Sequence, residues 1–202
     1  MHRAIFLDRD GVINAAIYNT VEGKLDSPYR LEEFRVLPGA AKAVRQIKDM
    51  GFLAIVVSNQ PGVAKGKCGP ELLAAMDDSL KASLAEEGAR LDGIYYCLHH
   101  PQALLPSLNV LCDCRKPKPG LLLRAARDGE IDLSCSYMIG DQQTDVEAGL
   151  AAGCRAVLVD GYSLATAGGD GRPNRDHSVA RDLLAAVATI QRMEGEHPWR
   201  SS

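Results

Sequence analysis

Short apolar runs and amphipathic stretches alternate along nearly the whole chain. Continuous apolar runs of a few residues are typical of strands buried on both faces, whereas apolar positions three or four apart are typical of helices that cover a sheet. The predicted strands are Arg3–Leu7, Phe52–Val57, Gly93–Cys97, Ser136–Ile139 and Cys154–Val159. The predicted helices are Gly39–Met50, Pro70–Glu87, Pro119–Arg127, Thr144–Ala152 and Val179–Met193.

This alternation predicts an α/β fold, a three-layer Rossmann-like parallel sheet with helices on both faces. Right-handed crossovers then place the carboxyl end of every strand at one edge of the sheet. The spacing between the first two strands leaves no room for a large cap domain. We expect one domain over residues 1–193, a mobile glycine-rich segment at 161–177 and a flexible tail at 194–202.

Composition narrows the class of partner. The chain has 202 residues, a net charge of −3 and 46% apolar residues, which is the balance of an ordinary globular protein. No basic surface favours nucleic acid or an anionic membrane. Because the sequence also has neither a long apolar span nor a signal-peptide core, we expect a cytoplasmic protein. Nothing in the sequence calls for more than a monomer.

Polar groups follow several predicted strands directly. Asp8 and Asp10 follow the first, Ser58 and Asn59 the second, and Asp141 the fourth. Two carboxylates as close as the first pair need either a cation between them or a proton on one of them. A hard cation such as magnesium takes oxygen ligands, and Asp8 and Asp141 can supply them.

These groups suit phosphoryl transfer. A carboxylate beside a cation can attack phosphorus, and Asp10 can protonate the departing alkoxide and later deprotonate water. The Ser58 hydroxyl and the Lys116 ammonium can contact phosphoryl oxygens. Arg115, next to this lysine, is expected to contact the substrate.

The cysteines point to a second metal. Cys97-x-His99 and Cys112-x-Cys114 face each other across a loop and offer four soft ligands, which is typical of a closed structural zinc site. Zinc would stiffen the loop at about 97–114 that leads to Arg115. The remaining cysteines are interpreted as small apolar residues: Cys68, Cys135 and Cys154.

Most of the chain, about Arg3 to Val159, resembles a known family. The residues that carry the likeness are Asp8-x-Asp10-Gly11, Ser58-Asn59, Lys116 and Gly140-Asp141-x-x-x-Asp145. Together they resemble the four motifs of the haloacid dehalogenase (HAD) superfamily of phosphatases. The resemblance implies that Asp8 is the nucleophile, Asp10 the general acid/base, and Ser58 and Lys116 further catalytic residues.

The same resemblance implies the metal ligands. Magnesium would be held by Asp8, Asp141 and the backbone carbonyl of Asp10, with Asp145 supporting the metal without binding it directly. The predicted substrate contacts are Asn59, Gln60, Arg115 and Gln142.

A narrower likeness concerns two segments. Tyr95–Pro101 and Cys112–Pro117 resemble the D-glycero-D-manno-heptose 1,7-bisphosphate phosphatases and their histidinol-phosphatase relatives. That group carries a zinc loop, whose ligands map onto Cys97, His99, Cys112 and Cys114.

The leading hypothesis is therefore a magnesium-dependent phosphomonoesterase. It would form an aspartyl phosphate and remove the 7-phosphate of a heptose bisphosphate, a small phosphorylated sugar, in nucleotide-activated heptose synthesis. One alternative is a histidinol-phosphate phosphatase, and another is a non-catalytic sugar-phosphate-binding module. The segment Ala15–Leu37 and the zinc loop would shape the entrance.

Overall fold

A computed structural model describes residues 1–20, 23–160 and 177–196. The mobile segment predicted at 161–177 lies almost entirely outside the described residues, as do positions 197–202 of the predicted tail. In the part of the chain that is described, no helix has the length and apolar character needed to cross a bilayer.

Strands and helices alternate as the sequence predicts. The strands are β1 (Ala4–Leu7), β2 (Ile17–Asn19), β3 (Lys24–Asp26), β4 (Leu53–Asn59), β5 (Gly93–Cys97), β6 (Tyr137–Gly140), β7 (Arg155–Val159) and β8 (Ser178–Ala180). The helices are α1 (Ala40–Asp49), α2 (Pro70–Glu86), α3 (Gly120–Asp128), α4 (Gln143–Ala151) and α5 (Leu183–Glu196).

The main sheet is parallel and has six strands in the order β5-β4-β1-β6-β7-β8. The chain moves outward from β1 to β4 and β5 and then crosses back to β6 on the other side of β1. Ligands of open α/β sheets bind where the strand order reverses in this way, beyond the carboxyl ends of the strands. The architecture places such a crevice at the end of β1.

Both faces of the sheet are covered, which confirms the predicted three-layer α/β fold. Side chains of β1 alternate between the two apolar cores: Ile5 and Leu7 pack with α1, α2 and α5, whereas Ala4 and Phe6 pack with α3 and α4. All four β1 side chains are fully buried. The central strand β1 is therefore packed on both faces. Its carboxyl end fixes the position at which Asp8 begins the following segment.

The segment between β1 and α1 contains structure that the sequence did not predict. β2 and β3 form an antiparallel hairpin in a stretch interpreted as a polar loop. Each strand has three residues, and the central Tyr18 and Leu25 are exposed, so no buried apolar run marks them. Among the described residues this hairpin and a short 3-10 turn at Leu31–Glu33 stand where a cap domain would be inserted.

The carboxyl-terminal boundaries also differ from the prediction. Val179, predicted as the start of a helix, lies in β8 and pairs with Leu158 at the edge of the sheet. The helix begins at Leu183 and continues through Glu196, although a tail was expected from 194. Glu194 explains the extension, because it accepts hydrogen bonds from Arg3 at 2.5 Å and from the Tyr137 hydroxyl at 2.7 Å.

Candidate active site

The strand ends converge on one polar cavity of about 260 Å³. Nearly all the residues that the sequence predicts for the site line it: Asp8, Asp10, Ser58, Asn59, Arg115, Lys116, Asp141, Gln142 and Asp145. Their positions follow from the strand order of the sheet, because β1 lies between β4 and β6.

Three carboxylates form the floor of the cavity. Oxygens of Asp8, Asp141 and Asp145 lie within 4.8 Å of one another. Burial, with the charges of Asp8 and Asp145, raises the pKa of Asp141 to about 8, and Asp141 Oδ1 is buried without a hydrogen-bond partner among the described residues. An unpaired oxygen in a crowded acidic cluster fits a divalent cation with oxygen ligands.

Two glycines leave the space that the carboxylates of the cluster need to lie close to one another. A Cβ at Gly11, whose φ is +84°, would lie 2.2 Å from Asp141 Oδ2. A Cβ at Gly140 would lie 2.1 Å from the Cβ of Asp145. Any larger residue at either position would push an acidic side chain out of the cluster.

Lys116 pairs with this cluster. Its buried Nζ lies 2.8 Å from Asp8 Oδ1 and 2.6 Å from Asp145 Oδ1, and it donates to the Val57 carbonyl at 2.8 Å. Burial opposes the charge of the lysine, but the attraction of Asp8 and Asp145 outweighs it and raises the pKa of Lys116. A protonated lysine is therefore fixed beside the candidate nucleophile.

Asp145 has both of its oxygens engaged. One contacts Lys116, and the other accepts a hydrogen bond from the backbone N–H of Gln142 at 3.0 Å. Gln142 is the N-cap of α4, and its side chain and that of Asp145 form a capping box. The capping box brings the first turn of α4 to the cavity, where its N–H groups favour an anion.

Asn59 holds the backbone of Lys116. Its Nδ2 donates to the Lys116 carbonyl and its Oδ1 accepts from the Lys116 N–H, both at 3.1 Å. The sequence predicts Asn59 as a substrate contact, but both ends of its amide are directed at the chain itself. The geometry makes it a residue that positions the lysine.

Gln60 lies behind the cavity rather than in its wall. It is 2% exposed, donates to Asp10 Oδ2 at 2.7 Å and to Ser58 Oγ at 3.2 Å, and accepts from Arg9. A buried amide with these partners supports Asp10 and Ser58, and the substrate contact stays a prediction.

Asp10 is held by several side chains that the sequence did not single out. Besides Gln60, its carboxylate accepts from Asn14 Nδ2 at 2.8 Å, Ser27 Oγ at 2.8 Å and the guanidinium of Arg9 at 3.1 Å. Arg9 and Asn14 were visible as polar residues beside the Asp8-x-Asp10 motif. Ser27 directly follows β3 of the unpredicted hairpin and carries no local signal.

Four basic side chains line part of the cavity wall, and we call them the basic rim. Lys24, Lys65, His100 and Arg115 all line it, and only Arg115 was predicted. Burial, together with the charges of Lys65, Arg115 and Lys24, lowers the pKa of His100. The rim contributes the charges of Lys24, Lys65 and Arg115, and Asp26, which pairs with Lys67 at 2.7 Å, also lines the cavity.

A second cluster lies at the end of β5. The donor atoms of Cys97, His99, Cys112 and Cys114 lie within 4.8 Å of one another, with four recorded separations of 3.2 to 3.7 Å. Tetrahedral zinc with sulfur at 2.3 Å spaces its ligands by about 3.7 Å. The donor set and spacing fit a metal ion, and Arg115 follows the last ligand directly.

Comparison of the sequence with known families identifies relatives. A family model described as HAD-hydrolase-like matches residues 113–186. The chain is 39% identical over 187 residues to D-glycero-beta-D-manno-heptose-1,7-bisphosphate 7-phosphatase of Yersinia pestis, covering 91% of this chain and 94% of that protein. It is 42% identical over 151 residues to the Escherichia coli K12 enzyme of the same name, covering 74% of each.

Solved structures give the same result. A D,D-heptose 1,7-bisphosphate phosphatase from B. bronchiseptica, complexed with magnesium and phosphate, superposes with a TM-score of 0.74 and 29% identity over 95% of this chain and 99% of that one. The Burkholderia thailandensis enzyme gives 0.63 and 25% over 94% and 98%. The chain therefore belongs to the HAD-like hydrolases and, within them, to the D-glycero-β-D-manno-heptose-1,7-bisphosphate 7-phosphatase family.

Proposed function

We propose that this chain removes the 7-phosphate of D-glycero-β-D-manno-heptose 1,7-bisphosphate, in the pathway to nucleotide-activated heptose. The observation that carries the proposal is the pairing of Lys116 with Asp8 at the floor of a cavity where the carboxylates of Asp8, Asp141 and Asp145 lie within 4.8 Å of one another. The family membership of the chain supports the same activity.

Asp8 is proposed as the nucleophile. Its carboxylate attacks phosphorus, a bond forms between the Asp8 oxygen and phosphorus, and the bond from phosphorus to the sugar oxygen breaks. Lys116 and the Ser58 hydroxyl, both at the cavity wall, hold phosphoryl oxygens and balance their charge.

Asp10 is proposed as the general acid and base. It gives a proton to the departing sugar alkoxide, then takes a proton from the water that hydrolyses the acyl phosphate. Its position in the cavity wall, two residues from the nucleophile, supports both transfers.

Magnesium is the proposed catalytic cation, held by Asp8, Asp141 and the backbone carbonyl of Asp10. When bound, it would supply positive charge that offsets the negative charge of the phosphoryl group. The unpartnered Asp141 Oδ1 supports this assignment.

Zinc is the proposed ion of the second cluster. Cys97, His99, Cys112 and Cys114 would hold it in a closed site, so its contribution is structural. Because Lys116 lies two residues beyond Cys114, a rigid cluster keeps the lysine-bearing loop in place.

The basic rim favours a bisphosphate over histidinol phosphate. With one phosphate at Asp8, the rest of the substrate faces Lys24, Lys65, His100 and Arg115. A second phosphate complements these groups, whereas the amine of histidinol phosphate would meet like charge. The distal charge of the substrate therefore separates the two enzyme hypotheses.

Steady-state kinetics tests the proposal. We expect kcat/KM for the heptose bisphosphate to exceed that for histidinol phosphate by about 100-fold or more, a difference of ~3 kcal/mol in transition-state binding. Asp8→Asn should abolish turnover, while the matched change Asp113→Asn, at a 95% exposed side chain, should not. Comparable rates on the two substrates would contradict the substrate assignment, and a wild-type protein without turnover would favour a binding module.

A further inference from the structure

A polar cluster of two buried and two half-buried side chains lies behind Asp10. It consists of Arg9, Gln60, Asp77 and Tyr96, and we call it the Arg9 cluster. Arg9 is 0% exposed and does not line the cavity, so its guanidinium cannot contact a substrate. A charged group in this position, next to the candidate general acid/base, needs an explanation other than ligand binding.

The guanidinium of Arg9 binds the Asp10 carboxylate through its Nε and Nη2 edge. Its Nε lies 3.2 Å from Asp10 Oδ1, and its Nη2 lies 3.1 Å from Oδ1 and 3.3 Å from Oδ2. Two donors of one planar group therefore act on one carboxylate, a geometry that fixes direction as well as distance. A lysine in the same place would keep the positive charge but lose the pair of fixed, coplanar N–H donors.

The other donors of Arg9 are tied to the surrounding fold. Nη1 donates to the Tyr96 hydroxyl at 3.3 Å and Nη2 donates to Gln60 Oε1 at 3.1 Å, while the Tyr96 hydroxyl donates to Asp77 on α2. The guanidinium also lies over the rings of Phe34 and Tyr96, with its central carbon 5.7 Å and 5.5 Å from the ring centroids. A continuous chain of contacts thus runs from α2 through β5 to Asp10.

We propose that Arg9 is a positioning residue for the reaction: supported by Tyr96 and Gln60, it fixes the orientation of the Asp10 carboxylate towards the leaving group. The inference rests on the proposed role of Asp10 as general acid. It assigns a catalytic consequence to Tyr96 and Asp77, neither of which lines the cavity.

Two esters with different leaving groups separate positioning from general damage. A sugar alkoxide needs a proton to depart, whereas p-nitrophenolate leaves readily without one. Because kcat/KM reports the steps up to the first irreversible one, loss of a well-aimed acid should lower kcat/KM for the sugar phosphate and spare that for p-nitrophenyl phosphate. A merely structural defect lowers both together.

The variants are Arg9→Lys and Tyr96→Phe. We expect kcat/KM for the heptose bisphosphate to fall about tenfold in the first and about fivefold in the second, with kcat/KM for p-nitrophenyl phosphate within about twofold of wild type. The matched control is Tyr95→Phe, which removes the neighbouring hydroxyl on β5 where it faces Asp128. Asp77→Asn can be compared in the same way with Asp78→Asn, an 81% exposed acid next to it.

Asp10→Asn distinguishes failure of this inference from failure of the proposed function. If Asp10→Asn lacks the leaving-group pattern, the general-acid assignment fails and takes the inference with it. If Asp10→Asn has the pattern, a selective loss in either Arg9→Lys or Tyr96→Phe supports the inference. If neither variant shows a selective loss, the Arg9 cluster is structural and the inference is overturned.

Discussion

Lys116 forms a 2.8 Å ion pair with Asp8 although the two residues are 108 positions apart in sequence. The pair joins the carboxyl end of β1 to the loop that carries the Cys/His cluster. Its consequence is that the charge beside the candidate nucleophile depends on the position of a distant loop.

Lys116→Met should damage both activity and stability. Removing the ammonium leaves Asp8 and Asp145 buried without their counter-charge, which typically costs about 3 kcal/mol of unfolding free energy. We expect kcat/KM to fall by about 100-fold or more, measured by phosphate release, and urea unfolding to show the stability loss. Lys42→Met, at an exposed lysine on α1, is the control and should match wild type.

Asn59→Ala tests the positioning of the same lysine. The variant loses two hydrogen bonds to the Lys116 backbone, so we expect a stability loss of about 2 kcal/mol and a roughly tenfold lower kcat. Asn109→Ala, at an exposed loop position, is the matched control. A raised KM with unchanged stability would instead favour the substrate contact that the sequence predicts.

The metal-free protein should lose stability as pH rises. The pKa of Asp141 in the folded protein is about 8, whereas its ordinary value is 3.8, so between about pH 4 and pH 8 the unfolded chain releases a proton that the folded protein keeps. Unfolding free energy in EDTA should therefore fall across this window.

Asp141→Asn tests whether Asp141 causes this fall in unfolding free energy with rising pH. In EDTA at pH 8 we expect the variant to be more stable than wild type by more than about 1 kcal/mol, with a flatter pH profile. Added magnesium should stabilise wild type and leave the variant unchanged. The assignment would be contradicted by an equal magnesium-induced rise in Tm in both proteins.

Cys112→Ser should release the second metal. Elemental analysis of wild type should give close to one zinc per chain, and the variant should hold little and unfold at a lower temperature. Cys135→Ser is the control, because Cys135 lies outside the cluster and donates to Asp132. Full activity and stability of a zinc-free wild type would refute a structural zinc.

Local signals explain what the sequence could predict. Asp8, Ser58 and Asp141 each follow or end a buried apolar run, and parallel strands bring such ends together whatever the details of packing. The two ligand pairs, Cys97 with His99 and Cys112 with Cys114, are equally local, because the members of each pair are two residues apart in sequence.

Tertiary contacts explain the features that the sequence could not predict. Val179 looks helical by its spacing, but pairing with Leu158 at the sheet edge places it in a strand. Ser27 reaches Asp10 only because the hairpin folds over the cavity. Gln60 follows Ser58 and Asn59 in sequence, but its side chain points inward. It does so because its amide oxygen accepts a hydrogen bond from the buried Arg9, a contact that the local sequence does not reveal.

The central claim is that Asp8 accepts the phosphoryl group, and a crystal structure with magnesium and beryllium fluoride tests it most directly. We predict a trifluoroberyllate bonded to a carboxylate oxygen of Asp8, with the Lys116 ammonium and the Ser58 hydroxyl contacting its fluorines. A beryllium fluoride bound elsewhere in the cavity, with the Asp8 side chain turned away from it, would contradict the account.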